Sequence, residues 1–182
     1  MYLHMTNDPF VVAENLATRV LVFESGPPSV TPDIFPPDVP YLKTCSRGVC
    51  ACGEAARAPR RFALCSLLNH ATPDVRDPEA LAVFRAASRI DFTRYTQFRD
   101  HHNPAVVEST PGVYSAVYWN DREALVLLVN LADREHRLRW RIRPEHFGWG
   151  RDAAETTGTI PDALAPLAFQ YVRVRRKARA GR

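Results

Sequence analysis

The chain changes its hydrophobic period near Ala105, and that change limits what it can fold into. Upstream, apolar residues recur at three- and four-residue spacing; downstream they recur at every second position. "AVVES", "GVYSAVYW", "EALVLLVN", "HRLRWRI" and "FQYVRVR" are strand candidates at hairpin spacing. In "RLRWRI", Leu138, Trp140 and Ile142 take one side while Arg137, Arg139 and Arg141 take the other. "ALVLLV" does not alternate, which predicts a central strand covered on both faces. The stretch "EALVLLVNLADREHRLRWRI", residues 123–142, reads as two strands joined by a charged turn.

The front of the chain reads differently. Residues 1–6 are strand-like, Asp8 and Pro9 can start a helix through Ala17, and "TRVLVFES" is β-branched and apolar, a buried strand. Strand, helix, strand is the rhythm of parallel α/β architecture. "PPSVTPDIFPPDVP" holds six prolines, too many for any regular element. "RRFALCSLLNH" is helical, with Phe62, Cys65 and Leu68 on one stripe widened by Leu64 and Leu67. Asp77 caps and Pro78 opens a second helix to about Ile90, with Leu81, Phe84 and Ala87 on one face. "RIDFTRYTQF" continues as helix or irregular chain. Two domains follow: an α/β segment over 1–104 and an all-β, antiparallel domain with a basic tail over 105–182.

The 182 residues are 46% hydrophobic and 24% charged, the balance of a folded domain. No apolar run is long enough for a membrane-spanning helix, so no membrane partner is expected. "MYLHMTNDPF" lacks the basic start of a signal peptide, so a cytoplasmic location follows if Met1 is the true start. The net charge of +4 comes from the end of the chain, where Arg173, Arg175, Arg176, Lys177, Arg179 and Arg182 crowd together. A short basic tail of this kind is expected to be solvated and frayed, and no nucleic-acid partner is expected. Basic residues other than Lys43 and Lys177 are arginines, a composition typical of a GC-rich, bacterial coding sequence.

Three stretches carry a family resemblance. "YLHMTN" with "TRVLVFES" resembles the last two strands of a TIM barrel, and "FALCSLLNHATPDVRDPEALAVFRAASRIDF" is similar to the helices that close one. "GVYSAVYWNDREALVLLVNLADREHRLRWRI" is similar to the β-sandwich that follows the barrel in α-galactosidase-like glycoside hydrolases. The resemblance implies the end of a partial TIM barrel plus a C-terminal antiparallel β-sandwich, from a protein that cleaves glycosidic bonds without a cofactor. A whole barrel takes about 250 residues, so it also implies that six βα units precede Met1. The nucleophile and the acid/base carboxylate lie on earlier strands in that family. This chain would then be a non-catalytic fragment, and no catalytic residue is assigned.

Polar residues at the carboxyl ends of barrel strands line the active site. On this alignment His4, Thr6 and Asn7 follow one strand, and Glu24 and Ser25 follow the next. His4, Asn7 and Glu24 are the candidate sugar contacts, since carboxylates and amides hold hydroxyl pairs; plain loop-end polarity is the competing account. Cys45, Cys50, Cys52 and Cys65 depart from the paired spacing of zinc sites, so unlinked thiols are expected ahead of a metal site or a Cys45–Cys50 disulfide. "DHHN" at 100–103 offers ligand chemistry, but neighbouring histidines on extended chain point apart; a solvated linker is expected and no metal is assigned. Tyr114, Tyr118, Trp119, Trp140, Phe147 and Trp149 are either a sugar-stacking platform or, more commonly, sandwich core.

Two rivals stand beside the hydrolase reading. One is a non-catalytic carbohydrate-binding or accessory β-module; the other is a small metal-binding or interaction domain organised by the cysteines. Exposed strand edges of a partial barrel would favour self-association.

Overall fold

A computed structural model describes residues 2–4, 19–23, 32, 46–49, 56–72, 76–108, 110–151, 154–157 and 160–177. These residues are mostly strand, with two short α-helices. Contacts divide the chain into two units, Met1–Thr93 and Arg94–Arg182.

The first unit holds a four-stranded sheet of β1 (Tyr2–His4), β2 (Arg19–Phe23), β3 (Ser46–Val49) and β4 (Ala71–Thr72), in that spatial order. Every pairing is parallel: Tyr2 aligns with Arg19, Arg19 with Ser46 and Arg47 with Ala71. The parallel pairing of the two front strands is as the sequence predicts. Two further parallel strands follow β2, so β2 does not end the sheet. The predicted helix over 8–17 and nearly all of the proline-rich loop lie outside the described residues.

Helix α1 (Pro59–Leu68) makes the crossover between β3 and β4. Proline starts it where a missing N–H costs nothing, and residues 62–68 are all buried. The predicted stripe of Phe62, Cys65 and Leu68 lies inside that run. A helix covered all round must satisfy its polar groups internally. Ser66 Oγ donates to the Phe62 carbonyl at 2.9 Å, and Asn69 Nδ2 donates to the Cys65 carbonyl at 2.9 Å. Helix α2 (Pro78–Ala87) is capped by Asp77, whose carboxylate accepts from Glu79 N at 2.8 Å. Its buried stripe is Ala80, Val83 and Ala87. Leu81 and Phe84 stay half-buried beside it, because the shorter side chains are the ones covered completely.

The second unit is built on a five-stranded antiparallel sheet. Its strands are β5 (Gln97–Arg99), β7 (Val113–Trp119), β8 (Glu123–Asn130), β11 (Ala154–Thr157) and β13 (Phe169–Arg176), in the order β11-β13-β8-β7-β5. The remaining strands form two antiparallel pairs, β6 (Val106–Glu108) with β10 (Trp140–Ile142), and β9 (His136–Arg137) with β12 (Ala163–Leu164). As predicted, β8 is central, and all eight of its residues are buried.

Strand alternation sorts the sheet into two faces. Val117, Val126 and Val172 lie in register across β7, β8 and β13. With Ala124, Leu128 and Val174 they pack against Val106 of β6 and Leu164 of β12; Leu138, Trp140 and Ile142 close over the cluster. The opposite face carries Tyr118, Leu125, Leu127 and Val129. Tyr118 meets Phe98 at 4.7 Å between ring centroids and Tyr95 at 6.2 Å.

Three expectations need correction here. The stretch over 123–142 is not a hairpin, because β8 pairs with β7 and β13 while the following segment leaves for other partners. "HRLRWRI" keeps its alternation, yet it is two strands. Leu138 N donates to Asp162 O at 2.8 Å and Arg139 N to Thr110 Oγ1 at 3.3 Å, which hands the chain from β12 to β6. The division between units also falls earlier than residue 104. Gln97 to Arg99 pairs with Trp119 to Val117, so the residues before Asn103 already belong to the antiparallel sheet.

The "VNLADRE" turn is held by one side chain. Asn130 is fully buried; its Nδ2 donates to the carbonyls of Arg134, Leu164 and Ala165, and its Oδ1 accepts from Ala132 N. Asn130→Ala strands several backbone groups at once and is expected to destabilise the protein by about 2–4 kcal/mol in urea unfolding. A loss below about 1 kcal/mol would show that the backbone holds the turn unaided.

The tyrosines give a pH prediction. Burial pushes the phenols of Tyr118 and Tyr171 well up, with Tyr171 adding to the shift at Tyr118; burial first and then Glu123 raise Tyr95. An unfolded tyrosine ionises near pH 10. Each raised group therefore stabilises the fold fully below about pH 10, and that contribution is lost as pH rises further. Stability should fall steeply above about pH 10, together with phenolate absorbance. Tyr118→Phe should blunt the fall, and an unchanged pH profile in that variant would refute the assignment.

Candidate functional site

Parallel pairing puts the carboxyl ends of β1 to β4 on one edge of their sheet. His4 is the last residue of β1, in register with Leu21 of β2, and Phe23, Val49 and Thr72 end the neighbouring strands. Of the predicted sugar contacts, His4 stands at this edge. Asn7 and Glu24, with Thr6 and Ser25, lie outside the described residues; Glu24 directly follows the end of β2. Cys45, Cys50 and Cys52 also lie outside them, and Cys65 is buried on α1.

The antiparallel unit disperses the predicted aromatic platform. Tyr118, Phe147 and Trp149 are buried, and Phe147 stacks between Trp119 at 5.7 Å and Trp149 at 5.0 Å. These rings are core, as aromatics in layered sheets usually are. Trp140 differs: it is half-buried and borders two depressions. One, of about 380 Å³, is also lined by Arg141, Arg151, Ile160 and Lys177. The other, of about 400 Å³, is lined by Val107, Arg139 and Arg141.

A larger depression of about 940 Å³ lies where the β7–β8 turn meets the end of β13. Arg94, Arg122, Arg175, Arg176 and Lys177 line it, against Asp121 and Glu123. Asn120 shapes the turn: its Oδ1 accepts from Arg122 N and Glu123 N, and its Nδ2 donates to Arg94 O. Arg94 pairs with Glu123 at 2.8 Å, and Arg176 Nη1 donates to the Asp121 carbonyl at 3.4 Å. Sequence reasoning missed this depression because it assigned these charges to a frayed tail. Arg173, Arg175 and Arg176 instead belong to β13 and pair with β8 and β11.

"DHHN" is also not a solvated linker. Asn103 N donates to Asp100 O at 3.1 Å, closing a tight turn, and the turn cancels the divergence expected of extended histidines. The His101 and His102 rings stand 3.9 Å apart, and Asp100 Oδ1 lies 3.5 Å from His102 Nδ1. Buried Asn103 locks the turn onto the sheet. Its Nδ2 donates to Ser115 O at 2.8 Å, and its Oδ1 accepts from Val106 N at 2.8 Å.

The chain matches no protein-family model and no curated protein.

Asn103→Ala removes the link between this turn and β7. The expected result is a stability loss of about 1–3 kcal/mol with faster amide hydrogen exchange at Val106. Unchanged exchange there would show that the turn is held by something other than Asn103.

Proposed function

We propose that the chain is the C-terminal portion of a glycoside-hydrolase-like protein acting on glycosidic bonds, and that this portion contributes substrate contacts and support without the catalytic carboxylates. The observation that carries the reading is the strand order β1-β2-β3-β4, wholly parallel and strictly sequential. Doubly wound sheets reverse their order at a switch point, whereas a TIM barrel adds each strand beside the last. An antiparallel unit follows, as in the family that the sequence resembles. On this reading β1 and β2 are the last two barrel strands, α2 is a closing helix, and His4, Asn7 and Glu24 contact the sugar. The catalytic pair, which must stand about 5 Å or about 6.5–9.5 Å apart across the sugar, belongs to strands upstream.

A second reading, a non-catalytic carbohydrate-binding β-module, is favoured by Trp140. It lines two depressions that arginines also line, an arrangement suited to contact with a pyranose.

One experiment separates the two: saturation-transfer NMR of the chain with a panel of neutral oligosaccharides. The hydrolase reading expects contacts that vanish in His4→Ala and Glu24→Gln and persist in Trp140→Ala. The opposite pattern transfers the function to the β-module. Absence of saccharide contact in any variant, with a native product of 20.5 kDa in source cells, would remove both.

A further inference from the structure

We infer that Asp100, His101 and His102 form a site for a divalent transition-metal ion, with zinc as the simplest occupant. Each residue offers one ligand atom, and the three atoms lie within 4.8 Å of one another. One carboxylate oxygen and two imidazole nitrogens form a borderline donor set that suits zinc, cobalt and nickel better than calcium or magnesium. Ligand atoms on a tetrahedral zinc stand roughly 3.3 Å apart, given Zn–N bonds of about 2.0–2.1 Å. Small side-chain rotations close the difference, because the two rings already touch.

Three features of the turn favour an ion. The Asp100 carboxylate is buried, and its partners are His102 N at 3.0 Å and His102 Nδ1. Among the described residues no arginine or lysine pairs with it. A buried carboxylate without a permanent cation is costly, and a dication removes that cost. The scaffold is also fixed in advance: Asn103 Nδ2 donates to Asp100 O at 3.0 Å and binds Ser115 at the same time, so an ion need not order the loop. The ligands come from the core side and from solvent together, since Asp100 is buried, His101 half-buried and His102 exposed. Three protein ligands leave a fourth position open on the solvent side for water or an external ligand.

The test is calorimetric titration of the full, untagged chain with zinc chloride, alongside cobalt(II) absorption spectra. His101→Ala, His102→Ala and a C45S/C50S/C52S variant are compared with the parent. Loss of an outer partner alone weakens metal sites by about 10–100-fold, so removing either imidazole should weaken binding by more than about tenfold. The expected result is one ion per chain, cobalt spectra without thiolate charge-transfer bands, and parent-like affinity in the cysteine variant. Thermal unfolding of the metal-free variants, measured beside the titrations, separates lost ligation from misfolding. No binding by the parent, undiminished binding in the histidine variants, or binding lost in the cysteine variant would each overturn the site.

Discussion

Strand β8 is the element on which the antiparallel unit depends. Eight consecutive buried residues present a backbone whose N–H and C=O groups must all find partners away from water. Only a strand on each side can supply them, and β7 and β13 do so along almost the whole length, from Val113 with Asn130 to Arg175 with Glu123. Both faces must then be covered. One carries the valine rows beneath β6, β10 and β12; the other carries Tyr118 and the leucines. The strand ends at Asn130, the first position where the chain must turn, and there a buried amide replaces the lost ladder bonds.

Patterns that depend on one segment's own side chains were legible in the sequence. The unbroken run of β8 gave its central place, the period of two in "RLRWRI" gave its inward and outward residues, and Asp77-Pro78 gave the start of α2. Features that depend on a distant partner were not. "SRGV" and "AT" carry no pattern of their own and become β3 and β4 only beside a parallel neighbour. The split of β9 from β10 is decided by Asp162 and Thr110, which no local reading of residues 136–142 contains. For the candidate site, the residue types were legible and the geometry was not. "DHHN" displays its ligand chemistry openly, but the convergence of its rings follows from Asn103 reaching Ser115, twelve positions away.

The same alternation that builds the core also distributes the charge. Around β10 and in the second half of β13, burying Leu138, Trp140, Val172 and Val174 sets Arg139, Arg141, Arg173 and Arg175 on the other side. The cations are thereby fixed on strands rather than spread along a mobile end. Fixed cations around a depression attract anions more effectively than a tail, because less side-chain freedom is lost per contact.

The edges of the antiparallel sheet bear on association. β5 and β11 are its outer strands, only three and four residues long. Their outward residues include Gln97, Arg99, Glu155 and Thr156, all exposed. Short, polar edges of this kind oppose strand addition by a second chain. The outer strands of the parallel sheet, β1 and β4, are just as short, at three and two residues.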